Sequence, residues 1–316
     1  MIEVKCSLCG ADDYTILESH RNDKYQRQDA EIRTVICKEC GMCYVNPRPS
    51  DDEIVGIYAT DYVGTREKIF GSGELLRRDR FMELIARWID DRIDISSSPG
   101  KVLDIGCSEG SLLVALQKRA WEVWGVEPTP HFAEVARQRC GEHIKTSRLE
   151  QAGLPHGYFD MITIAQTLEH MPDPMSTLQI IRKLLKDDGV LYIDVPNVLK
   201  PKHANIFTAT HLNMFTPNTL ELFLRKTAFK PAIIHDSWDI RIIAHAGDID
   251  LNVNPRVEGD DWQETMAEAK RAYVPMVFRR IKLRSASLVT RTIRRILGQS
   301  RGDRIVDYLS MFSHWE

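Results

Sequence analysis

From Val102 to Val195 the chain alternates short apolar runs rich in β-branched residues with longer stretches whose apolar residues recur at helical spacing. Val102-Leu-Asp-Ile105, Glu122 to Val126, His143 to Thr146, Phe159 to Ala165 and Val190 to Val195 read as strands. Ser111 to Arg119, Phe132 to Cys140 and Pro174 to Leu185 read as helices. Parallel strands need a crossover, and these helices supply it, so the pattern predicts a doubly wound α/β sheet. Two later runs, Lys230 to His235 and Arg241 to His245, leave no room for a helix between them and should pair antiparallel. The expectation is a seven-stranded, mostly parallel sheet with an antiparallel last strand.

The first strand runs into Asp104-Ile-Gly106-Cys107-Ser108-Glu-Gly110 and then a helix, the place where open α/β sheets bind ligands. Glycine here permits a sharp turn and lets a ligand lie against bare backbone. Glu127 ends the next strand, where a carboxylate can accept hydrogen bonds from both hydroxyls of a ribose. The loop departs from G-x-G-x-x-G, which disfavours nicotinamide and flavin, and lacks the G-K-[ST] of a triphosphate loop. It satisfies G-x-S-x-G, but no oxyanion loop precedes it and the following acid is placed for a ribose, so a hydrolase elbow is disfavoured.

The N-terminus is of a different kind. Five of the seven cysteines fall in the first 43 positions, four of them as Cys6-Ser-Leu-Cys9-Gly and Cys37-Lys-Glu-Cys40-Gly. Two such knuckles aim four thiolates at one ion and complete a tetrahedral site with no open position, so the spacing reads as structural zinc on Cys6, Cys9, Cys37 and Cys40. Thr15 to Glu18 and Thr34 to Cys37 read as short strands of that ribbon, with Cys43 in its core. Cys107 and Cys140 are isolated and read as packing residues. Asn46-Pro-Arg-Pro-Ser50 follows as an extended connector, and Ser50 with Glu53 has the spacing of a capping box. A helix from Glu74 to Asp91 carries Leu75, Leu76, Phe81, Leu84, Ile85, Trp88 and Ile89, and Ser96 to Gly100 is a linker. The expected organisation is a zinc ribbon at 1–48, a helical connector at 49–98, the α/β domain at 99–246 and a basic helical region at 247–316.

Four segments together resemble the successive motifs of class I S-adenosylmethionine-dependent methyltransferases: Val102 to Gly110, Gly125-Val-Glu-Pro128, Phe159 to His170 and Leu185 to Asn197. The likeness covers roughly residues 99 to 245 and implies a Rossmann-like sheet. With Tyr44-Val-Asn-Pro-Arg-Pro49, His211-Leu-Asn-Met-Phe-Thr-Pro217 and the cysteine ribbon, it resembles a subgroup associated with bacterial surface-polysaccharide and natural-product sugar methylation. The resemblance implies that Asp104, Gly106, Cys107 and Gly110 hold the methionine end of the cofactor and Glu127 its ribose. By the same resemblance Arg148 and Leu149 flank the adenine, and Ala165 and Gln166 face the methionine. Ser108 stands where a loop glycine is common, which a negative φ would accommodate. Arg148 replaces a frequent acid. Related quinone methyltransferases bind a divalent ion with E-x-x-E-H; Gln166-Thr-Leu-Glu169-His170 lacks the first carboxylate, so no catalytic Mg²⁺ is expected.

Methyl transfer to a hydroxyl needs a proton acceptor, and histidine suits that task near neutral pH. His170 and His211 are the two histidines that the motifs place near the site. The acceptor is expected to be a small molecule or glycan.

Ten basic residues and no acidic one lie between Lys270 and Arg301, leaving 32 basic against 45 acidic residues elsewhere. Apolar positions from Val274 to Leu297 fall on one helix face, a surface for packing on this domain or on a second copy, with an anionic membrane as the sharper alternative. RNA is less expected, since the net charge is −3. An RNA methyltransferase and a non-catalytic zinc-ribbon interaction protein are the competing readings. No run of eighteen apolar residues and no apolar leader occurs, which places the chain in the cytoplasm.

Overall fold

The computed structural model describes residues 1–21, 31–50, 53, 54, 56, 73–93, 100–201, 210–250 and 252–272. The 94–99 linker and the basic stretch beyond 272 lie outside the described residues.

The predicted alternation is realised as a seven-stranded sheet. In chain order its strands are β4 (Lys101–Ile105), β5 (Glu122–Val126), β6 (Ile144–Lys145), β7 (Phe159–Ala165), β8 (Leu185–Pro196), β10 (Phe229–Asp236) and β11 (Asp239–Ala246). The spatial order is β10-β11-β8-β7-β4-β5-β6, with the ladders from β6 to β8 parallel and β11 antiparallel to both neighbours. β7 lies at the centre with β4 beside it, and the carboxyl ends of the two open onto the point where the strand order reverses.

The helices are α1 (Glu74–Asp90), α2 (Ser111–Gln117), α3 (Pro130–Cys140), α4 (Pro174–Leu184) and α5 (Pro217–Lys226). α1 buries Ile85, Ala86 and Ile89, while Leu76, Phe81 and Leu84, expected on the same apolar face, are exposed. α5 was not expected from spacing. Its signal is present, since Thr216 and Thr219 form a reciprocal capping box with Pro217 at the first turn. The box predicted between Ser50 and Glu53 is also formed, by bonds of 2.9 and 3.4 Å.

The cysteine-rich segment builds β1 (Tyr14–Arg21), β2 (Glu31–Cys37) and β3 (Cys43–Val45). A fourth strand, β9 (Asn213–Met214), pairs with β3 and comes from the chain beyond β8. Sequence spacing gives no hint of that pairing. Val45 N donates to Leu212 O at 3.0 Å, and Lys226 Nζ donates to Leu8 O at 2.9 Å. Among the described residues no helix is long and apolar enough to cross a membrane.

Candidate active site

The glycine loop leaves β4 in a run of left-handed residues: Gly106 at φ 72°, Ser108 at 51° and Gly110 at 79°. Gly106 has no room for a side chain, because a Cβ would lie 2.5 Å from Thr167 Oγ1. At Gly110 a Cβ would meet Cys140 Sγ at 2.9 Å, which gives that buried cysteine its packing role. Ser108 does not take the negative φ that would have made it an easy replacement for glycine. Two contacts hold it: its N–H donates to Glu127 Oε2 at 3.0 Å and its hydroxyl to Glu109 Oε2 at 2.6 Å. They offset the roughly 1–2 kcal/mol that this backbone region costs a residue with a Cβ.

Glu127 is 7% exposed, and its second oxygen accepts from Thr129 N at 2.8 Å. A carboxylate oxygen can accept more than one hydrogen bond, the chemistry a diol ligand requires. Asp104 is buried on β4 and accepts from Thr163 Oγ1 at 2.7 Å; burial pushes its carboxyl up to about 7. Arg148 precedes a short turn at Leu149–Gln151 in which Leu149 is buried. Cys107 is buried in the loop.

Sequence reasoning missed the clamp behind this loop. Arg78 on α1 pairs with the buried Glu109 at 2.7 Å, and Arg139 on α3 reaches Glu109 O at 2.8 Å and Asp79 at 2.6 Å. These ion pairs span 60 residues or fewer of chain without periodic signature, so only the fold brings them together.

Beyond β7, Gln166 sits at φ 52° with its side-chain amide donating to Asp194 at 3.0 Å and Asp239 at 3.4 Å. Buried Asp194 also accepts from Arg241 Nε at 3.0 Å and from Tyr192 at 3.1 Å. A short turn, Leu168–His170, then carries His170 towards His211, and the two rings meet edge to face at 4.9 Å. His170 Nδ1 lies 2.7 Å from Thr210 O, so it donates there and the basic nitrogen is Nε2. Nε2 stands 3.7 Å from Glu169 Oε1. Glu169 is 2% exposed, its Oε2 has no hydrogen-bond partner among the described residues, and burial pushes its carboxyl up to about 8. Sequence placed both histidines near the site but gave Glu169 no role beyond the incomplete E-x-x-E-H pattern. The ligand atoms of Glu169, His170 and His211 lie within 4.8 Å of one another, a cluster able to share a proton or a cation.

In the cysteine-rich segment the thiols of Cys6, Cys9, Cys37 and Cys40 converge within 4.8 Å, unbridged, with Sγ to Sγ distances of 3.6 Å for Cys6–Cys40 and 3.5 Å for Cys9–Cys37. A tetrahedron with bonds of about 2.3 Å has edges of about 3.8 Å, so the four thiols fit one ion. Cys43 is buried in β3 beside them.

Residues 76–232 match the family described as "Methyltransferase domain". With the sheet order and the loop at β4, that match defines a class I S-adenosylmethionine-dependent methyltransferase domain. Among curated proteins, the ubiquinone biosynthesis O-methyltransferase of Haemophilus ducreyi is 36% identical over 107 residues, 31% of this chain and 45% of that protein. The enzyme of the same name from Pseudomonas aeruginosa is 31% identical over 120 residues, 36% of this chain and 51% of that protein. The chain thus spans about half the length of the curated relatives it matches. Among solved structures, the 1,6-didemethyltoxoflavin-N1-methyltransferase of Burkholderia thailandensis, with S-adenosylhomocysteine bound, shares the fold at 21% identity and a TM-score of 0.50, covering 73% of this chain and 100% of that one.

Proposed function

We propose that this protein transfers the methyl group of S-adenosylmethionine to a hydroxyl of a sugar, nucleotide-sugar or glycan intermediate. The observation that carries this reading is the histidine pair at the carboxyl edge of β7. Hydrogen bonding to Thr210 fixes the His170 tautomer, so Nε2 can take the acceptor proton while Glu169 stands behind it. His211, edge-on at 4.9 Å, bounds the same space. The cofactor, when bound, supplies an activated methyl group on a sulfonium. Its ribose is assigned to Glu127 and its methionine end to the loop from Asp104 to Gly110. The chain's remaining work is to hold the acceptor oxygen in line and receive its proton as the new bond to the methyl carbon forms.

An oxygen acceptor is supported by the relatives named O-methyltransferases. The sugar assignment rests on the ribbon and on the Tyr44 and His211 segments, which have the pattern of the sugar-methylating subgroup. Zinc is assigned to the four converging thiols as a structural ion, because thiolate ligands in a closed tetrahedron suit it. Residues 1–48 would then form a zinc ribbon and 99–246 the catalytic domain.

The test is kinetic. His170→Ala and His211→Ala should lower turnover, by about 10²–10⁴-fold for whichever is the base, without changing S-adenosylhomocysteine affinity. Unchanged turnover in both variants would remove histidine base catalysis.

A further inference from the structure

The segment Tyr44 to Pro49 has no duty in the cofactor site. It borders a cavity of about 370 Å³ between the four-stranded sheet and the catalytic domain, within the ~300–1,000 Å³ typical of small-ligand sites. The opposite wall is the start of α4 and the strand β9. Both parts of that opposite wall run directly into the histidines, since Pro172 lies two residues after His170 and Leu212 directly follows His211. Asn213 Nδ2 ties them together by donating to Met171 O at 2.8 Å.

The polar lining is donor-rich. Tyr44 is 3% exposed, and its hydroxyl has no hydrogen-bond partner among the described residues; the same holds for the buried Ser7 Oγ. A buried polar group left unpaired costs about 1–3 kcal/mol, so two in one cavity point to a ligand that satisfies them. Lys5 and Arg48 bring positive charge to the same space. Among the described lining residues Asp173 is the one carboxylate, and its two oxygens already accept from Ser176 N at 3.1 Å and Ser176 Oγ at 2.8 Å, capping α4. The positive end of that eleven-residue helix faces the cavity.

We propose that this cavity binds the phosphoryl group of a phosphate- or diphosphate-linked sugar, with Tyr44, Ser7, Lys5 and Arg48 as its donors and the sugar ring extending toward His170 and His211. This deepens the methyltransferase reading and rests on it. Clamping a non-reacting part of the acceptor beside the histidines gives the positioning that in-line transfer requires.

The test is calorimetry on the full-length, zinc-loaded protein saturated with S-adenosylhomocysteine. The probes are UDP, GDP, dTDP, inorganic pyrophosphate and free glucose. At least one phosphorylated probe should bind and glucose should not. A nucleoside diphosphate binding better than pyrophosphate would place a nucleotide-linked sugar, and equal binding a simple sugar phosphate. Tyr44→Phe and Arg48→Gln should each weaken that probe by about 10-fold or more, with zinc content and S-adenosylhomocysteine affinity unchanged. Absence of binding by every phosphorylated probe at millimolar concentration overturns the proposal, as does wild-type affinity in both variants. Loss of zinc from Tyr44→Phe would assign that hydroxyl to the thiolates and overturn it as well. Failure of wild-type protein to bind S-adenosylhomocysteine would instead refute the methyltransferase reading.

Discussion

Replacing Glu127 with glutamine removes one charge and turns one acceptor into a donor. Two backbone amides point at the two carboxylate oxygens, Ser108 N at 3.0 Å and Thr129 N at 2.8 Å. The glutamine oxygen can serve only one of them; the other then faces an amide group that cannot accept. A buried donor left unpaired costs about 1–3 kcal/mol, which sets the expected loss of folding stability. The ligand loses more than one contact. Ser108 is held at φ 51° partly through this carboxylate, so the loop relaxes, and the ribose exchanges a charged acceptor for a neutral one. A hydrogen bond to a charged group contributes about 1.5–3 kcal/mol, which corresponds to roughly 10–100-fold in Kd. Titration of S-adenosylhomocysteine by calorimetry, with urea denaturation in parallel, separates the two effects. Affinity within about threefold of wild type (~0.7 kcal/mol) would refute the ribose assignment whatever happens to stability.

Two further perturbations address the ribbon and the buried acid. Chelating the zinc proposed for the four thiols should raise amide exchange at β3 and, through the shared ladder, at β9, while the cofactor loop stays protected because it belongs to the other sheet. Unchanged exchange in Asn213–Met214 after metal loss would contradict the coupling. For Asp104, a folded-state pKa raised to about 7 means that the native state holds its proton more tightly than the unfolded chain. Its stabilising contribution is therefore complete below about pH 4 and is lost as pH rises through about 7, with about 2–3 kcal/mol of that loss falling between pH 5 and pH 8. Asp104→Asn keeps the acceptor for Thr163 and should flatten that part of the urea-stability profile of the cofactor-free protein. A variant with the wild-type pH profile would show that Asp104 is not the titrating group.

Strand and helix periods along residues 101–246 were legible because both faces of a parallel sheet are buried and each crossover must be helical. The glycine loop and Glu127 were legible for a related reason: backbone geometry at the carboxyl end of a strand admits few residue types. What the sequence concealed are contacts between distant segments. Nothing in Asn213-Met214 marks it as the fourth strand of a cysteine ribbon that begins 200 residues earlier in the chain. Glu109 looked like an ordinary charged residue and Glu169 like the remainder of an incomplete metal-binding pattern, yet both are buried, one clamped by Arg78 and the other set behind His170. Conversely, Leu76 and Leu84 kept helical spacing and are exposed, because apolar periodicity marks a face without showing what meets it. Ser108 is the reverse case, a residue type that argues against a left-handed turn and is held there by two side-chain acceptors.

The central claim is methyl transfer from S-adenosylmethionine to a hydroxyl of a sugar-bearing acceptor. Its most direct test is incubation of the zinc-loaded protein with S-adenosylmethionine carrying an isotopically labelled methyl group and a panel of sugars, sugar phosphates, nucleotide sugars and glycan intermediates, read by mass spectrometry. The predicted result is an acceptor that gains one labelled methyl group on oxygen for each S-adenosylhomocysteine formed. Label appearing on nitrogen or carbon, or tight S-adenosylhomocysteine binding with no labelled product from any member of the panel, would contradict it.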